Sequence, residues 1–479
     1  YPFLILMSLV GSWRLFFILT LPVALFVPGA LFFATTFKAP LNETFWIVLM
    51  GTNVVEASDY ITANAITPFL IALLVLIYWA YCFYKISTPI FTRWQWRALC
   101  GLLIIIPIVH YFKGPTPLAE MNHHFTESYP LNMVMSYQSA QAELKNYADI
   151  SIVGEDKIKI LKTNEAPENL VLVIGESARR DRLQLFGAST PNNPEMEKIL
   201  NELVVFSNAI TLHPHTVASI PVMLTKQKGL KEATANIPSF VQILKKAGYK
   251  TFWISNQSSL GGGGSNRIGY YARSTDFHHF FHIHDSNNPT ALDEEVLNTF
   301  KEQIKDPAPK KFFVLHLQGS HYGFEKRYPS SFAKFPDPYD NTLLYTDYIL
   351  GEVVRILKND KRDAGMMYLS DHGLLLNACG NKFTHFDNKE SFEIPFFVWA
   401  SGSHKDALMK AAAVNRDKPL TTEFVFDSLM DMAGVSYEGY NKKLSVFSPE
   451  ADPGERLVQT YSKIINYDTG KNDEDCHMN

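Results

Sequence analysis

Carboxylates, imidazoles and one hydroxyl stand at the ends of apolar runs in this chain, in an order that could hold a metal ion. In Tyr368-Leu369-Ser370-Asp371-His372-Gly373-Leu374 an apolar run reads as a buried strand and stops at an adjacent Asp and His. An earlier run, 169–175, stops at Glu176. Between them, His213-Pro214-His215-Thr216 places a hydroxyl where a helix is expected to begin. Carboxylate oxygen and imidazole nitrogen together suit Zn²⁺, so Glu176, Thr216, Asp371 and His372 form a candidate four-ligand zinc set. A threonine hydroxyl on such a metal would ionise more readily and serve as a nucleophile. At a helix N-terminus this hydroxyl would face free backbone N–H groups ready to receive a phosphate oxygen, although Thr216 also reads as a plain helix N-cap.

Two further histidines fit the same chemistry. His321 lies just past the run 312–317, in Gln318-Gly319-Ser320-His321, and His385 precedes the run 394–399, in Phe383-Thr384-His385-Phe386-Asp387. Either could bind phosphoryl oxygens, hold a second metal or protonate a leaving oxygen. His316 alternates with apolar neighbours and reads as a packed strand histidine.

Positioning these groups requires a sheet whose carboxyl ends converge, where open α/β sheets place their ligands. The apolar runs 170–174, 203–206, 251–254, 312–317, 366–369 and 394–399 alternate with helical patterns at 192–202, 239–248, 291–304, 342–358 and 421–433. That alternation predicts a doubly wound α/β domain with helices on both faces. No internal repeat is visible, and Gly261-Gly262-Gly263-Gly264-Ser265 reads as a flexible loop.

The 479 residues exceed one ordinary domain. Their 47% hydrophobic content is concentrated in the first 112 positions. Residues 15–37, 66–84 and 97–112 read as membrane spans, for which about 20 apolar residues suffice. Lys85, Arg93 and Arg97 place the loop between the last two spans in the cytoplasm. Residues 38–65 and everything after Lys113 then face the opposite side. Residues 1–113 are expected to form a transmembrane helical domain with a surface helix, 114–166 a bridge carrying a helix over 131–147, and 167–479 the α/β domain. The chain starts at Tyr1 inside an apolar run, so a preceding segment is expected. A net charge of −4 argues against nucleic acid as a partner. Of the four cysteines, Cys379 and Cys476 lie in the polar part and could pair in an oxidising compartment.

Val173-Ile174-Gly175-Glu176-Ser177-Ala178-Arg179, Thr216 before Ser219-Ile220-Pro221, Gly319-Ser320-His321 and Ser370-Asp371-His372-Gly373 together resemble the membrane-anchored phosphoethanolamine transferases of the alkaline phosphatase/sulfatase superfamily. The likeness covers essentially the whole chain. It implies an α-helical transmembrane domain followed by an alkaline-phosphatase-like (sulfatase) domain, in the bacterial inner membrane with the catalytic part in the periplasm. It also implies Zn²⁺ on Glu176, Thr216, Asp371 and His372, and phosphoethanolamine carried on Thr216. His321, His385 and Asn256 become substrate contacts, with Thr52 and Glu56 from the surface segment Thr52-Asn53-Val54-Val55-Glu56. The implied donor is phosphatidylethanolamine, the acceptor lipid A or another cell-envelope glycan, and the implied state a monomer within the membrane lipid. The alternatives are a phosphoglycerol transferase of the lipoteichoic-acid-synthase type and a membrane sensor that only binds.

Overall fold

In Asn169-Leu170-Val171-Leu172-Val173-Ile174 every side chain after the first is apolar, a pattern that suits a strand covered on both faces. The structure, a computed structural model, describes residues 13–21, 24–26, 46, 66–85, 101, 131–148, 155–226, 238–258, 267–282, 291–376, 378, 387–460, 463–474 and 476–478. It forms that run into β1 (Asn169–Gly175), buried along its whole length. One sheet is completed by β2 (Leu203–Val205), β3 (Lys250–Ser258), β4 (Phe277–His282), β5 (Lys311–His316), β6 (Ala364–Ser370) and β7 (Phe396–Ala400). Their order across the sheet is β2-β7-β6-β1-β5-β3-β4. Alternate residues of β1 feed opposite cores: Leu170, Leu172 and Ile174 join one apolar cluster, Val171 and Val173 the other. Burial on both faces explains the unbroken apolar run.

Two features depart from the sequence expectation. β7 runs antiparallel to both its neighbours, whereas the other pairings are parallel. The described residues between β6 and β7 form only the four-residue helix Lys389–Phe392. β4 was not predicted, because Phe277-His278-His279-Phe280-Phe281-His282 does not alternate. It pairs with β3 alone, at the sheet edge.

The chain divides into two compact units, one drawn from the first 142 residues and the other holding Glu143–Asn479. In the first, α1 (Ile66–Lys85) has 20 residues, and Trp79 Nε1 donates to the carbonyl of Phe17. Leu74, Ile77 and Tyr78 of α1 are exposed. Among the described residues no helix is long and apolar enough to cross a membrane; the side chains of α1 are described only from Leu70 onward. Most of the expected spans 15–37 and 97–112 lies outside the described residues. The helix expected over 131–147 forms as α2 (Leu131–Ala148). Ile160–Thr163, placed in the bridge by sequence, pairs antiparallel with Val435–Tyr437.

Two more helices position the site. α3 (Thr216–Leu224) follows the extended His215. α4 (Pro338–Asp360) is capped by Asp337, whose side chain accepts the N–H of Tyr339, and has Pro338 at its first position.

Candidate active site

The neighbouring strands β1 and β6 pair Gly175 with Ser370, so the residues that follow them, Glu176 and Asp371, emerge side by side. Thr216, first residue of α3, meets them. Its Oγ1 donates to Glu176 Oε2 (3.0 Å) and lies 3.2 Å from His372 Nε2. His215 takes the N-cap position, so the N-cap reading of Thr216 is replaced by one in which its hydroxyl points at a carboxylate and an imidazole. Glu176, Asp371 and His372 each offer a ligand atom within 4.8 Å of the others, and all three are buried.

Backbone geometry explains the convergence. Ser177 adopts a left-handed conformation (φ 58°), rare for a non-glycine residue. The turn sends its N–H to Asp371 Oδ1 (3.1 Å) and its Oγ to Glu176 Oε1 (2.5 Å). Tyr339, at the start of α4, holds this turn from behind: its hydroxyl donates to the carbonyl of Ser177 (2.7 Å) and accepts the N–H of Arg179 (2.8 Å). Gly319 (φ +48°) lies so close that a Cβ there would come 2.9 Å from both the N and the O of Glu176. Because Tyr339 is fully buried, Tyr339→Phe is expected to lower stability by about 2 kcal/mol. An unchanged denaturant midpoint would mean that the turn is held without it.

The electrostatics are those of a cation site. Burial pushes Glu176 up, but the hydrogen bond and charge of His372, with His321 adding, outweigh it and hold the carboxyl well below its usual range. Burial and the neighbouring Glu176 carboxylate push Asp371 up. Burial pushes His372 down, and the Asp371 and Glu176 carboxylates reverse that and raise it. His372 Nδ1 lies 2.7 Å from the carbonyl of Gly373. A carbonyl only accepts, so that nitrogen carries the proton and Nε2 faces the carboxylates. Asp371 Oδ2 is buried with no hydrogen-bond partner. Two buried carboxylates, one of them with an orphaned oxygen, an imidazole nitrogen and the hydroxyl alongside fit zinc in donor type and number.

The other expected site residues fall elsewhere. His321 lies on the loop after β5, half-buried, close enough to Glu176 for its charge to be felt. His316 is a packed strand histidine 3.1 Å from Ser255 Oγ, and burial lowers its pKa to about 4. Asn256, implied as a substrate contact, is fully buried, and its amide donates to Asp293 Oδ1 and to the carbonyl of Ala291. Asp293 also accepts the N–H groups of Gln318 and Gly319. Asn256 therefore braces the Gly319 loop through its amide nitrogen, while its Oδ1 is buried with no hydrogen-bond partner. His385, Thr52 and Glu56 lie outside the described residues. Cys476 is disulfide-bonded and clusters with Leu375 and Ala378; Cys379 lies outside the described residues. Sequence reasoning missed Gln257, which donates to Glu176 Oε2 (3.0 Å) and to the carbonyl of Leu317 (3.1 Å). Its place near the carboxyl end of β3 was the available signal.

Comparison with known proteins gives four findings. A family model described as sulfatase matches residues 168–435. Phosphoethanolamine transferase EptC of Escherichia coli O18:K1:H7 is 26% identical over 92% of this chain and 84% of its own length. Among solved structures, the C-terminal periplasmic domain of Escherichia coli EptC in complex with zinc aligns with a TM-score of 0.59 and 28% identity, over 65% of this chain and 96% of that one. The integral membrane protein lipooligosaccharide phosphoethanolamine transferase A (EptA) of Neisseria meningitidis aligns with a TM-score of 0.71 and 17% identity, over 92% and 88%, which shows likeness of fold alone.

Proposed function

The chain belongs to the sulfatase family, and from that premise we propose that it transfers phosphoethanolamine from phosphatidylethanolamine to lipid A or another cell-envelope glycan. The observation that carries this reading is the Thr216 hydroxyl, 3.0 Å from Glu176 Oε2 at the start of a helix and beside a buried metal-type donor set. The relative named phosphoethanolamine transferase EptC supports the group transferred.

Glu176, Asp371, His372 and Thr216 are the residues that would hold zinc, as the zinc complex of the related EptC domain suggests. Zinc bound there supplies Lewis acidity, which favours the ionised threonine hydroxyl and balances the buried carboxylates. In the first step Thr216 Oγ1 attacks the donor phosphorus and its bond to the diacylglycerol oxygen breaks. The threonine proton passes towards Glu176, whose oxygen already accepts it, and His321 or His385 protonates the leaving oxygen. In the second step an acceptor oxygen attacks the same phosphorus, its proton is taken by the same histidine, the bond from phosphorus to Thr216 Oγ1 breaks, and the threonine oxygen takes its proton back from Glu176. Gln257 and Ser177 keep the Glu176 carboxylate oriented throughout. Intact-protein mass measurement after incubation with phosphatidylethanolamine tests this reading: a single phosphoethanolamine adduct mapping to Thr216 supports it, and wild-type protein that never acquires one sinks it.

Residues 1–113 are proposed to anchor the chain in the bacterial inner membrane, with 167–479 in the periplasm and 114–166 as the bridge. The apolar and aromatic side chains that α1 leaves exposed, among them Leu74, Ile77 and Tyr78, support that reading. Thr52 and Glu56 are four apart, so on a helix they share a face, and Glu56 is assigned to the donor's ammonium group. Glu56→Gln is expected to impair phosphatidylethanolamine more than a soluble short-chain donor, since only the full lipid passes the membrane surface. Equal loss with both donors would place Glu56 in the catalytic centre or in folding instead.

A further inference from the structure

Arg180 is a largely buried cation that the steps above leave without a task. Its side chain keeps 16% of its surface, so it is enclosed without being sealed off. Nη2 lies 2.9 Å from Glu393 Oε2, and the other oxygen of that carboxylate, Oε1, accepts the Tyr467 hydroxyl (2.6 Å). Nη1 is buried with no hydrogen-bond partner, the one arginine nitrogen so placed among the described residues. Its neighbours are differently employed: Arg179 pairs with Asp181, and Arg182 with Asp337 and Asp340. A buried donor left unpaired is costly and asks for an explanation.

The position of Arg180 supplies one. It follows Glu176 by four residues, and its N–H donates to the carbonyl of Glu393 (3.4 Å). That carbonyl would lie 2.9 Å from a Cβ at Gly373, next in the chain to His372. Glu393 also bridges Ile210, on the segment that leads to Thr216. The Arg180–Glu393 pair thus sits where the three segments carrying the candidate ligands meet. A guanidinium presents planar N–H pairs matched to phosphate oxygens. With Nη2 fixed by Glu393, Nη1 is held in one orientation.

We propose that Arg180 Nη1 receives a phosphoryl oxygen of a substrate, which makes Arg180 a specificity residue of the transfer; the assignment rests on the transferase reading. The oxygen comes either from the donor phosphodiester or from a phosphate on the acceptor, and the half-reactions separate the two. The test uses the full chain as wild type, Arg180→Lys, Arg180→Met and the double variant Arg180→Met/Glu393→Gln, which restores local neutrality if Arg180→Met alone folds poorly. Thermal unfolding titrated with inorganic phosphate is expected to show a midpoint about tenfold weaker or more in both Arg180→Met proteins, with Arg180→Lys between. Slowed labelling of Thr216 identifies the donor. Normal labelling with slowed discharge onto a phosphorylated sugar, but not onto its phosphate-free counterpart, identifies the acceptor. Two outcomes overturn the proposal: phosphate titrations and half-reactions all unchanged, or both half-reactions falling together with the melting temperature in single and double variants, which is the behaviour of a structural clamp. Wild type that never labels Thr216 defeats the transferase reading, while the phosphate titration still decides whether Arg180 binds an anion.

Discussion

Thr216→Ala protein incubated with phosphatidylethanolamine is expected to gain no phosphoethanolamine, and its turnover to fall by at least about a thousandfold. Thr216→Ser should keep measurable labelling, because a hydroxyl remains at the first residue of α3. Stability separates this from a structural effect. Oγ1 makes one hydrogen bond to Glu176, whose Oε2 is also held by Gln257. Removing it should therefore cost about 1 kcal/mol, too little to unfold the domain. A normally active Thr216→Ala enzyme would end the covalent reading whatever its stability.

Asp371→Asn and His372→Ala are expected to abolish zinc binding and activity while the seven-stranded sheet stays folded. Asn at 371 is the sharper probe, because its Oδ1 still accepts the N–H groups of Ser177 and His372 while one anionic ligand oxygen is lost. The loss should exceed the roughly 10- to 100-fold drop in affinity that follows removal of an outer-shell partner. A proton signature accompanies it. Carboxylates raise His372 above the ordinary imidazole range, and burial with Glu176 raises Asp371. A cation entering the site therefore displaces protons, so affinity falls as pH falls and zinc binding releases protons into buffer. Wild-type zinc content in either purified variant would refute the ligand assignment.

Mutating the sequence-legible residues probes chemistry; Tyr339 and Arg180 probe what holds and surrounds it. The sequence by itself determined the strands of the seven-stranded sheet, except for β4, because burial on both faces favours unbroken apolar runs that polar residues end. It also singled out Glu176, Thr216, Asp371 and His372, since ligand types at carboxyl ends leave a local mark. Only the tertiary structure decided that β7 runs antiparallel, that Thr216 faces Glu176 rather than capping its own helix, and that Asn256 braces a loop. It alone joined Tyr339 to Ser177 and Arg180 to Glu393, across separations of 162 and 213 residues (393 − 180). Such contacts form wherever folding brings two distant segments together. A hydrogen bond needs only a donor and an acceptor at the right distance, so neither partner carries a sign in its own neighbourhood that names the other.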